Sequence, residues 1–242
     1  MQNIDKKQKV KLLVDFWHRT MMHHAMWLAE VQHQMGREKA FKLFSIAWKK
    51  SYEIQMKRLG KILDFEMEDD VPQPLMKLEE SKIDELLEGS AINWLANDGV
   101  WFQAVEFNRN MHDAKRCNDS AWGYFSPFEA KLIKDYLGLE EHPGLEGLKK
   151  ALEFRLYAYI NKQSFTEETE NSFVFLMNDC RVQSARKRKN LDDYPCKSGG
   201  MVEYTTFAET IDSRIKTECI CCPPDNHPDE YYCAWKFSYQ SL

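Results

Sequence analysis

Four of the seven cysteines in this chain lie within fifteen residues near its C-terminus. Cys219 and Cys222 have the C-x-x-C spacing with which one turn can present two thiolates to a single metal ion, and Cys233 follows on the next strand-like segment. Pro223 and Pro224 stiffen the turn, because each proline restricts its own backbone and that of the preceding residue. The spacing predicts a metal site built on a turn and its return strand.

A closed structural zinc site needs a fourth ligand to complete its tetrahedron. We favour Cys196, which opens a predicted helix where the partial positive charge of the helix N-terminus would stabilise a thiolate. Cys180 is the competing candidate, and Asp225 or His227 could replace one sulfur. We expect the metal to be zinc. An iron–sulfur cluster also takes four cysteines, so iron and such a cluster stay open as alternatives.

The other interpretations of these cysteines are buried free thiols or a redox-active pair. Cysteine is a common small core residue, and we expect that role for Cys117, which stands alone on a helical stretch. Cys221 should point to the opposite face of its strand from Cys222. A redox pair is disfavoured because two prolines, not a helix, follow the C-x-x-C.

The composition is that of an ordinary soluble globular protein, with 43% hydrophobic and 29% charged residues. A net charge of −5 argues against a nucleic-acid partner. The chain has neither the roughly 18 consecutive apolar residues of a membrane span nor the apolar core of a signal peptide. We therefore expect a cytoplasmic protein with no membrane partner, in a reducing compartment where clustered cysteines more often bind metal or do chemistry than form disulfides. The oligomeric state stays open.

The elements that would position the cysteines form an α+β fold. Residues 1–140 are predicted to be helical and residues 141–242 to be an α+β metal-binding region, the two packed as one unit. The second region should hold an antiparallel sheet of about four strands, with a helix inserted between two hairpins. The strands are expected at residues 154–161, 172–177, 215–221 and 231–239, and the helix at 196–210.

We predict a weak internal repeat in the helical region; the plainer interpretation is that any two amphipathic helix pairs with tryptophans align at some offset. Apolar residues at mixed spacings of three and four predict two long helices within residues 5–64. A shift of 74 residues places Trp27 on Trp101 and Trp48 on Trp122. The shift predicts a second helix pair within residues 90–137. Its second helix would begin near residue 119, capped by Asp119 or Ser120.

Polar residues at two places mark a candidate binding site. Arg181 and Gln183 follow a predicted strand end, and the guanidinium fork of arginine suits a carboxylate or a phosphate. The plainer interpretation of this segment is a solvated basic turn. No Gly-rich phosphate loop, nucleophile elbow or H-E-x-x-H motif is present.

His24 and Asp98 correspond in the repeat and stand three residues before Trp27 and Trp101. A paired histidine and aspartate could act as a base and its orienting partner. A polar residue at such a position more often marks a helix face or cap. The catalytic candidates are Cys180 and Asp98; Trp101 and His24 join Arg181 and Gln183 as ligand-binding candidates.

Five short motifs stand out along the chain: Cys180-Arg181-Val182-Gln183, Pro195-Cys196-Lys197-Ser198, Cys222-Pro223-Pro224-Asp225, Tyr232-Cys233-Ala234-Trp235 and, in the helical region, Asp98-Gly99-Val100-Trp101-Phe102. Together they resemble an uncharacterised family of bacterial cytosolic proteins, and the resemblance covers most of the chain. The family is similar, more remotely, to the aminothiazoline-carboxylate hydrolase-like proteins.

The order of elements from Pro195 onward also resembles the zinc-binding vinyl-4-reductase domain. This resemblance implies one zinc ion held by Cys196, Cys219, Cys222 and Cys233 beside a pocket for an aromatic ligand. The chain departs from that pattern in having Cys219 where an acidic ligand is usual, and in the Pro-Pro insertion.

These observations predict a zinc-binding protein that holds a small organic molecule between the helical region and the sheet. The metal would be mainly structural, because four thiolates leave no open position for water. The first alternative is a hydrolase that acts on a small sulfur- or nitrogen-containing ring compound. The second alternative is an iron–sulfur or redox protein.

Overall fold

The structure, a computed structural model, describes residues 4–188, 190 and 193–239. It divides into two compact units, residues 1–79 and residues 80–242, which we call the N-terminal and C-terminal units. The predicted boundary at residue 140 differs from this division. The second helix pair therefore belongs to the same compact unit as the sheet.

The N-terminal unit is a hairpin of two long helices, α1 (Lys6–Met35) and α2 (Arg37–Leu63). Asp5 and Gln8 form a capping box at the start of α1, in which each side chain bonds the backbone of the other residue. Gly36 alone separates the two helices, at a φ of +83° that favours glycine. Three short elements complete the unit: β1 (Met67–Glu68), β2 (Val71–Pro72) and α3 (Gln73–Met76).

The second helix pair, α4 (Glu80–Asn108) and α5 (Met111–Tyr136), differs from its predicted bounds. The predicted cap at Asp119 or Ser120 is wrong, because Asn110 caps α5 by accepting the N–H of Asp113 at 2.8 Å. Asp119 lies inside the helix and pairs with Lys115. The bounds of α1 and α2 thus recur in α4 and α5, to within one residue, at the offset that the tryptophans predict.

The rest of the C-terminal unit is α+β, as predicted. Its helices are α6 (Gly144–Leu152), a 3₁₀ helix (Leu156–Tyr159), α7 (Arg181–Lys187) and α8 (Lys197–Ile211). Its strands are β3 (Lys162–Thr166), β4 (Ser172–Asp179), β5 (Ile215–Cys221) and β6 (Cys233–Tyr239). They form one four-stranded sheet in the order β3-β4-β6-β5, and all neighbouring strands are antiparallel.

The strand predicted at residues 154–161 is wrong, because the segment turns toward a buried carboxylate. Glu129 on α5 accepts the backbone N–H of Leu156 at 3.0 Å and the Arg155 side chain at 2.9 Å. Because the Leu156 N–H is bonded to that carboxylate, it cannot also bond a neighbouring strand. The chain instead forms a 3₁₀ turn before β3 begins at Lys162. The alternation of apolar and polar residues in this segment arises from Arg155, which faces the core, and not from a strand.

The core lies between α8 and one face of the sheet. Trp235 on β6 is fully buried, and its ring lies 4.7 Å from the ring of Tyr204 on α8. Such aromatic pairs contribute roughly 0.5–1.5 kcal/mol beyond the burial of their area. Gly200 lets α8 approach closely, since a Cβ there would lie 2.7 Å from the Trp235 ring. This packing brings the start of α8 to the strands that carry the cysteines.

Candidate functional site

The four predicted metal ligands all pack against the main core of the C-terminal unit. Cys196 directly precedes α8, Cys219 lies in β5, Cys222 follows β5, and Cys233 begins β6. Cys180, which follows β4, packs against the same core. We call these five residues the cysteine cluster.

Electrostatic and hydrogen-bond contacts link the members of the cluster. A hydrogen bond with Cys233 and burial raise the pKa of Cys222. Burial raises the pKa of Cys196, and the neighbouring Cys180 and Cys233 raise it further. Burial also raises the pKa of Cys219 to about 11. The thiols of Cys196, Cys219 and Cys222 therefore favour their protonated form until a cation compensates the buried charge.

Within the described part of the chain, no three Cys, His, Asp or Glu side chains are already placed as a metal site. The metal centre thus stays a prediction. Two backbone bonds hold the surrounding loops together: Lys197 N–H donates to Pro223 O, and Asp225 N–H donates to Cys222 O, both at 2.9 Å. They fix the start of α8 beside the turn that carries Cys222.

Cys221 and Cys117 lie outside the cluster. The register shift between Cys219 and Cys221 turns Cys221 to the other face of the sheet, where it packs with Val174 and Ala234. Cys117 is exposed on α5, so the expectation of a buried core cysteine is wrong. The helix turns position 117 to solvent, which a lone cysteine in the sequence does not reveal.

Asp225 and His227 are engaged elsewhere. Asp225 forms an ion pair with Lys197 at 2.7 Å. The His227 ring contacts Asp193 through Nε2 at 3.0 Å and the Pro228 carbonyl through Nδ1 at 2.8 Å. With both ring nitrogens occupied, His227 is a poor replacement for a sulfur ligand.

Gln183, a ligand-binding candidate, is buried and contacts Cys196. Its Nε2 donates to Tyr194 O at 2.9 Å and to the Cys196 sulfur at 3.2 Å, while its Oε1 accepts the Tyr194 N–H at 2.8 Å. Arg181 is exposed, and its backbone N–H donates to Asn161 Oδ1 at 2.8 Å. The ligand-binding candidates Arg181 and Gln183 therefore have different surroundings.

The candidate residues on the helices also differ from one another in their surroundings. Asp98 on α4 is half-buried and accepts Asn118 Nδ2 at 3.1 Å; burial raises the pKa of its carboxyl. Trp101 is 63% exposed. His24 belongs to the N-terminal unit, where its Nε2 lies 3.3 Å from Ser51 Oγ.

A buried ion cluster beside the cysteines escaped the sequence reasoning. Arg155 pairs with Glu129 at 2.9 Å and with Glu203 at 2.7 Å. Burial opposes the Arg155 charge, but the two carboxylates outweigh it and raise the arginine pKa. Nothing marks Glu129 or Glu203 in the sequence, because each occupies an ordinary helical position.

Tyr157 connects this ion cluster to the cysteines. Burial raises the pKa of Tyr157, and so does the negative charge of Glu203, Cys180, Asp98 and Cys196. Its ring packs edge-on against Trp94 at 4.8 Å. One half-buried phenol thus lies within electrostatic range of both catalytic candidates and of the metal-ligand candidate Cys196.

No helix among the described residues is long and apolar enough to cross a membrane. No curated protein and no solved structure matches the chain, so the two remoter resemblances gain no support from these comparisons. Residues 75–239 match DUF6125, a family of unknown function. The match covers nearly the whole C-terminal unit, including every member of the cysteine cluster, and the chain therefore belongs to the DUF6125 family.

Proposed function

We propose that the C-terminal unit binds one zinc ion through Cys196, Cys219, Cys222 and Cys233. The observation that carries this proposal is the packing of these four thiols, from α8 and the β5–β6 hairpin, against one core. Four thiolates close the zinc shell, so the ion acts as a structural clamp between α8 and the hairpin.

The surroundings suit a charged thiolate centre. Four thiolates around zinc leave a net charge of about −2, and the Lys197 ammonium lies close enough to Cys219 and Cys222 to interact with both. Gln183 Nε2 already donates to the Cys196 sulfur. Donors of this kind orient metal ligands and offset their charge.

The clamp supports the wall of a binding site for a small organic molecule. The site we propose lies on the α4–α5 side of the sheet, around Asp98, Tyr157 and Tyr194. Tyr194 contacts Phe102 of α4 at 5.3 Å and is joined to Gln183. A ligand there would meet aromatic rings and one half-buried carboxylate, a combination that suits a planar heterocycle with a hydrogen-bond donor.

The hydrolase alternative depends on Asp98 more than on Cys180. Burial raises the pKa of the Cys180 thiol to about 11, so little nucleophilic thiolate exists at neutral pH. The raised pKa of Asp98 instead suits a proton donor. Hydrolysis of a small sulfur- or nitrogen-containing ring would then use Asp98 as its acid.

Metal analysis of the purified chain tests the proposal. We expect about one zinc per chain, lost in Cys233→Ser together with thermal stability. Cys117→Ser is the matched control at an exposed cysteine, and Cys180→Ser should keep both metal and stability. Purified protein that contains neither zinc nor iron would refute the metal proposal.

The ligand proposal has a separate test. A thermal-shift screen of small aromatic and heterocyclic acids should find compounds that raise the melting temperature of the wild-type chain. The same compounds should shift Asp98→Asn less. Equal shifts in both proteins would place their binding elsewhere, whatever the metal content.

A further inference from the structure

Cys222 and Cys233 lie opposite each other at the loop end of the β5–β6 hairpin. Cys221 and Ala234 are the last partners in that ladder, so one further step along each antiparallel strand places Cys222 opposite Cys233. Both cysteines pack against the main core of the C-terminal unit, whereas Cys221 and Ala234 pack together on the other face. The two thiols therefore form a cross-strand pair on one face of the sheet.

The side chains of this pair are in contact. The Cys222 side chain forms a hydrogen bond with Cys233. Backbone bonds hold both positions, since Asp225 N–H donates to Cys222 O and Tyr232 N–H donates to Met177 O, each at 2.9 Å. A disulfide needs Cβ atoms roughly 3.5–4.5 Å apart, and directly opposed cross-strand residues have Cβ atoms about 4.5–5.5 Å apart. A disulfide between these two thiols thus needs only a small adjustment of the hairpin.

The other members of the cysteine cluster have different neighbours. Cys219 lies opposite Trp235 in the ladder. Cys196 precedes α8, outside the sheet, and its sulfur accepts a hydrogen bond from Gln183 Nε2. Cys180 follows β4. The strand register therefore singles out one pair among the five thiols.

The two thiols of the pair differ in how far a small oxidant can reach them. Cys222 is only 1% exposed, whereas Cys233 is half-buried. In the reversible oxidation of a cysteine pair, one thiol reacts with the oxidant and a neighbouring thiol converts the product into a disulfide. Their burial assigns the first role to Cys233 and the second to Cys222.

We propose that Cys222 and Cys233 form an oxidation site, at which a peroxide converts the two thiols into a disulfide. The Cys233 sulfur attacks one peroxide oxygen, the O–O bond breaks, and a sulfenic acid and one water form. The Cys222 sulfur then attacks the sulfenic sulfur, so that the S–S bond forms, the S–O bond breaks and a second water leaves. The two thiols lose two electrons, which reduce one peroxide to two waters.

The effect of this oxidation on metal rests on the proposed zinc site. That site uses the sulfurs of both Cys222 and Cys233, and zinc binds the thiolate form of cysteine. One disulfide thus removes two of the four ligands, and the ion leaves. A small reducing thiol restores the pair by exchange. The C-terminal unit then holds its metal under reducing conditions and releases it to peroxide.

Mapping the disulfide in the wild-type chain tests the proposal. The chain, before and after removal of metal with EDTA, is treated with hydrogen peroxide, alkylated, and cut with an aspartate-specific protease. Cuts before Asp225 and Asp229 separate Cys222 from Cys233, so a disulfide alone keeps the two fragments joined. Mass spectrometry should assign the link to these two cysteines, and dithiothreitol should release it. No link in the metal-free chain, or a link through other cysteines, would overturn the proposal.

Matched variants check the assignment. Cys222→Ser and Cys233→Ser should each abolish the linked fragments. Cys221→Ser, next to Cys222 but on the opposite face of the sheet, should keep them, and so should Cys117→Ser at an exposed position. Loss of the link in Cys221→Ser would contradict the pairing.

A zinc-sensitive dye separates this proposal from the proposed function. The metal-loaded chain should release about one zinc for each disulfide formed. Zinc that stays bound after the disulfide forms would overturn the release of metal. A chain that forms the disulfide but never binds zinc would refute the zinc site and leave the oxidation site standing. A chain that binds zinc but forms no link after EDTA treatment would do the reverse.

Discussion

Gln183 Nε2 lies 3.2 Å from the Cys196 sulfur and also donates to the Tyr194 carbonyl, while Oε1 of the same amide accepts the Tyr194 N–H. One buried side chain therefore holds the segment that leads into α8. This segment carries the predicted fourth metal ligand and a wall of the proposed ligand site.

Replacing Gln183 by alanine should destabilise the C-terminal unit. The change leaves the Tyr194 N–H and carbonyl without their partner, and each buried unpaired group costs roughly 1–3 kcal/mol. Chemical denaturation measures the loss, and metal analysis should show less bound zinc. Lys187→Ala, on the exposed end of α7, should change the free energy of unfolding by less than about 0.5 kcal/mol. Equal effects of both changes would contradict the role of Gln183.

Arg155→Met should be more damaging, because it leaves Glu129 and Glu203 facing each other in the core without a cation. Removal of one member of a buried ion cluster costs about 3–5 kcal/mol. Adding Glu129→Gln and Glu203→Gln to the same chain should recover much of that free energy in denaturant unfolding. A triple variant no more stable than Arg155→Met would show that lost packing of the long side chain dominates.

Glycine substitutions on two helices should act in opposite directions. A Cβ at Gly200 would lie 2.7 Å from the buried Trp235 ring, so Gly200→Ala should cost about 1–3 kcal/mol. Gly89 in α4 has nothing within 4 Å of its Cβ position, so Gly89→Ala should gain up to about 1 kcal/mol. The difference between their melting temperatures tests the close approach of α8 to the sheet.

The contact between His227 and Asp193 predicts a stability that depends on pH. The hydrogen bond to Asp193 raises the pKa of His227, although burial opposes the shift. The stabilisation is therefore fully present below the unfolded pKa of about 6.5 and is lost as pH rises through the folded pKa. Unfolding followed between about pH 6 and pH 9 should show this loss. Asp193→Asn should flatten the profile; an unchanged slope would assign the pH dependence to other groups.

The elements nearest the cysteines were the most predictable from sequence. Strand β5 follows its predicted bounds, and α8 begins and ends within one residue of its prediction, because alternation in the strand and Pro195 before the helix are local signals. The start of α4 was missed although Ile83, Leu86 and Leu87 stand at the three- and four-residue spacings of a helix. The 3₁₀ segment was misassigned because its conformation depends on Glu129, which lies far away in sequence.

In the candidate site, too, features that depend on local sequence were predictable and features that depend on distant contacts were not. The spacing of Cys219, Cys222 and Cys233 predicts that one hairpin carries these thiols, and they lie in β5, directly after β5 and at the start of β6. The roles of Gln183 and Arg155 depend on contacts between distant segments, and residue type alone cannot reveal them. Asp98 and His24 align in the repeat, yet they occupy separate compact units.

The register shift between Cys219 and Cys221 has a consequence for ligand choice. Three cysteines within four positions could offer a metal several equivalent pairs, and a wrong pair would trap the ion in a misligated state. The shift sends Cys221 to the opposite side of the sheet and leaves Cys219 and Cys222 on the side of the cluster. Backbone geometry thus places chemically identical thiols on different faces of the sheet. Regular alternation without the shift would put Cys219 and Cys221 on one face and Cys222 on the other, and so would exchange one pair for another without changing the cysteine content.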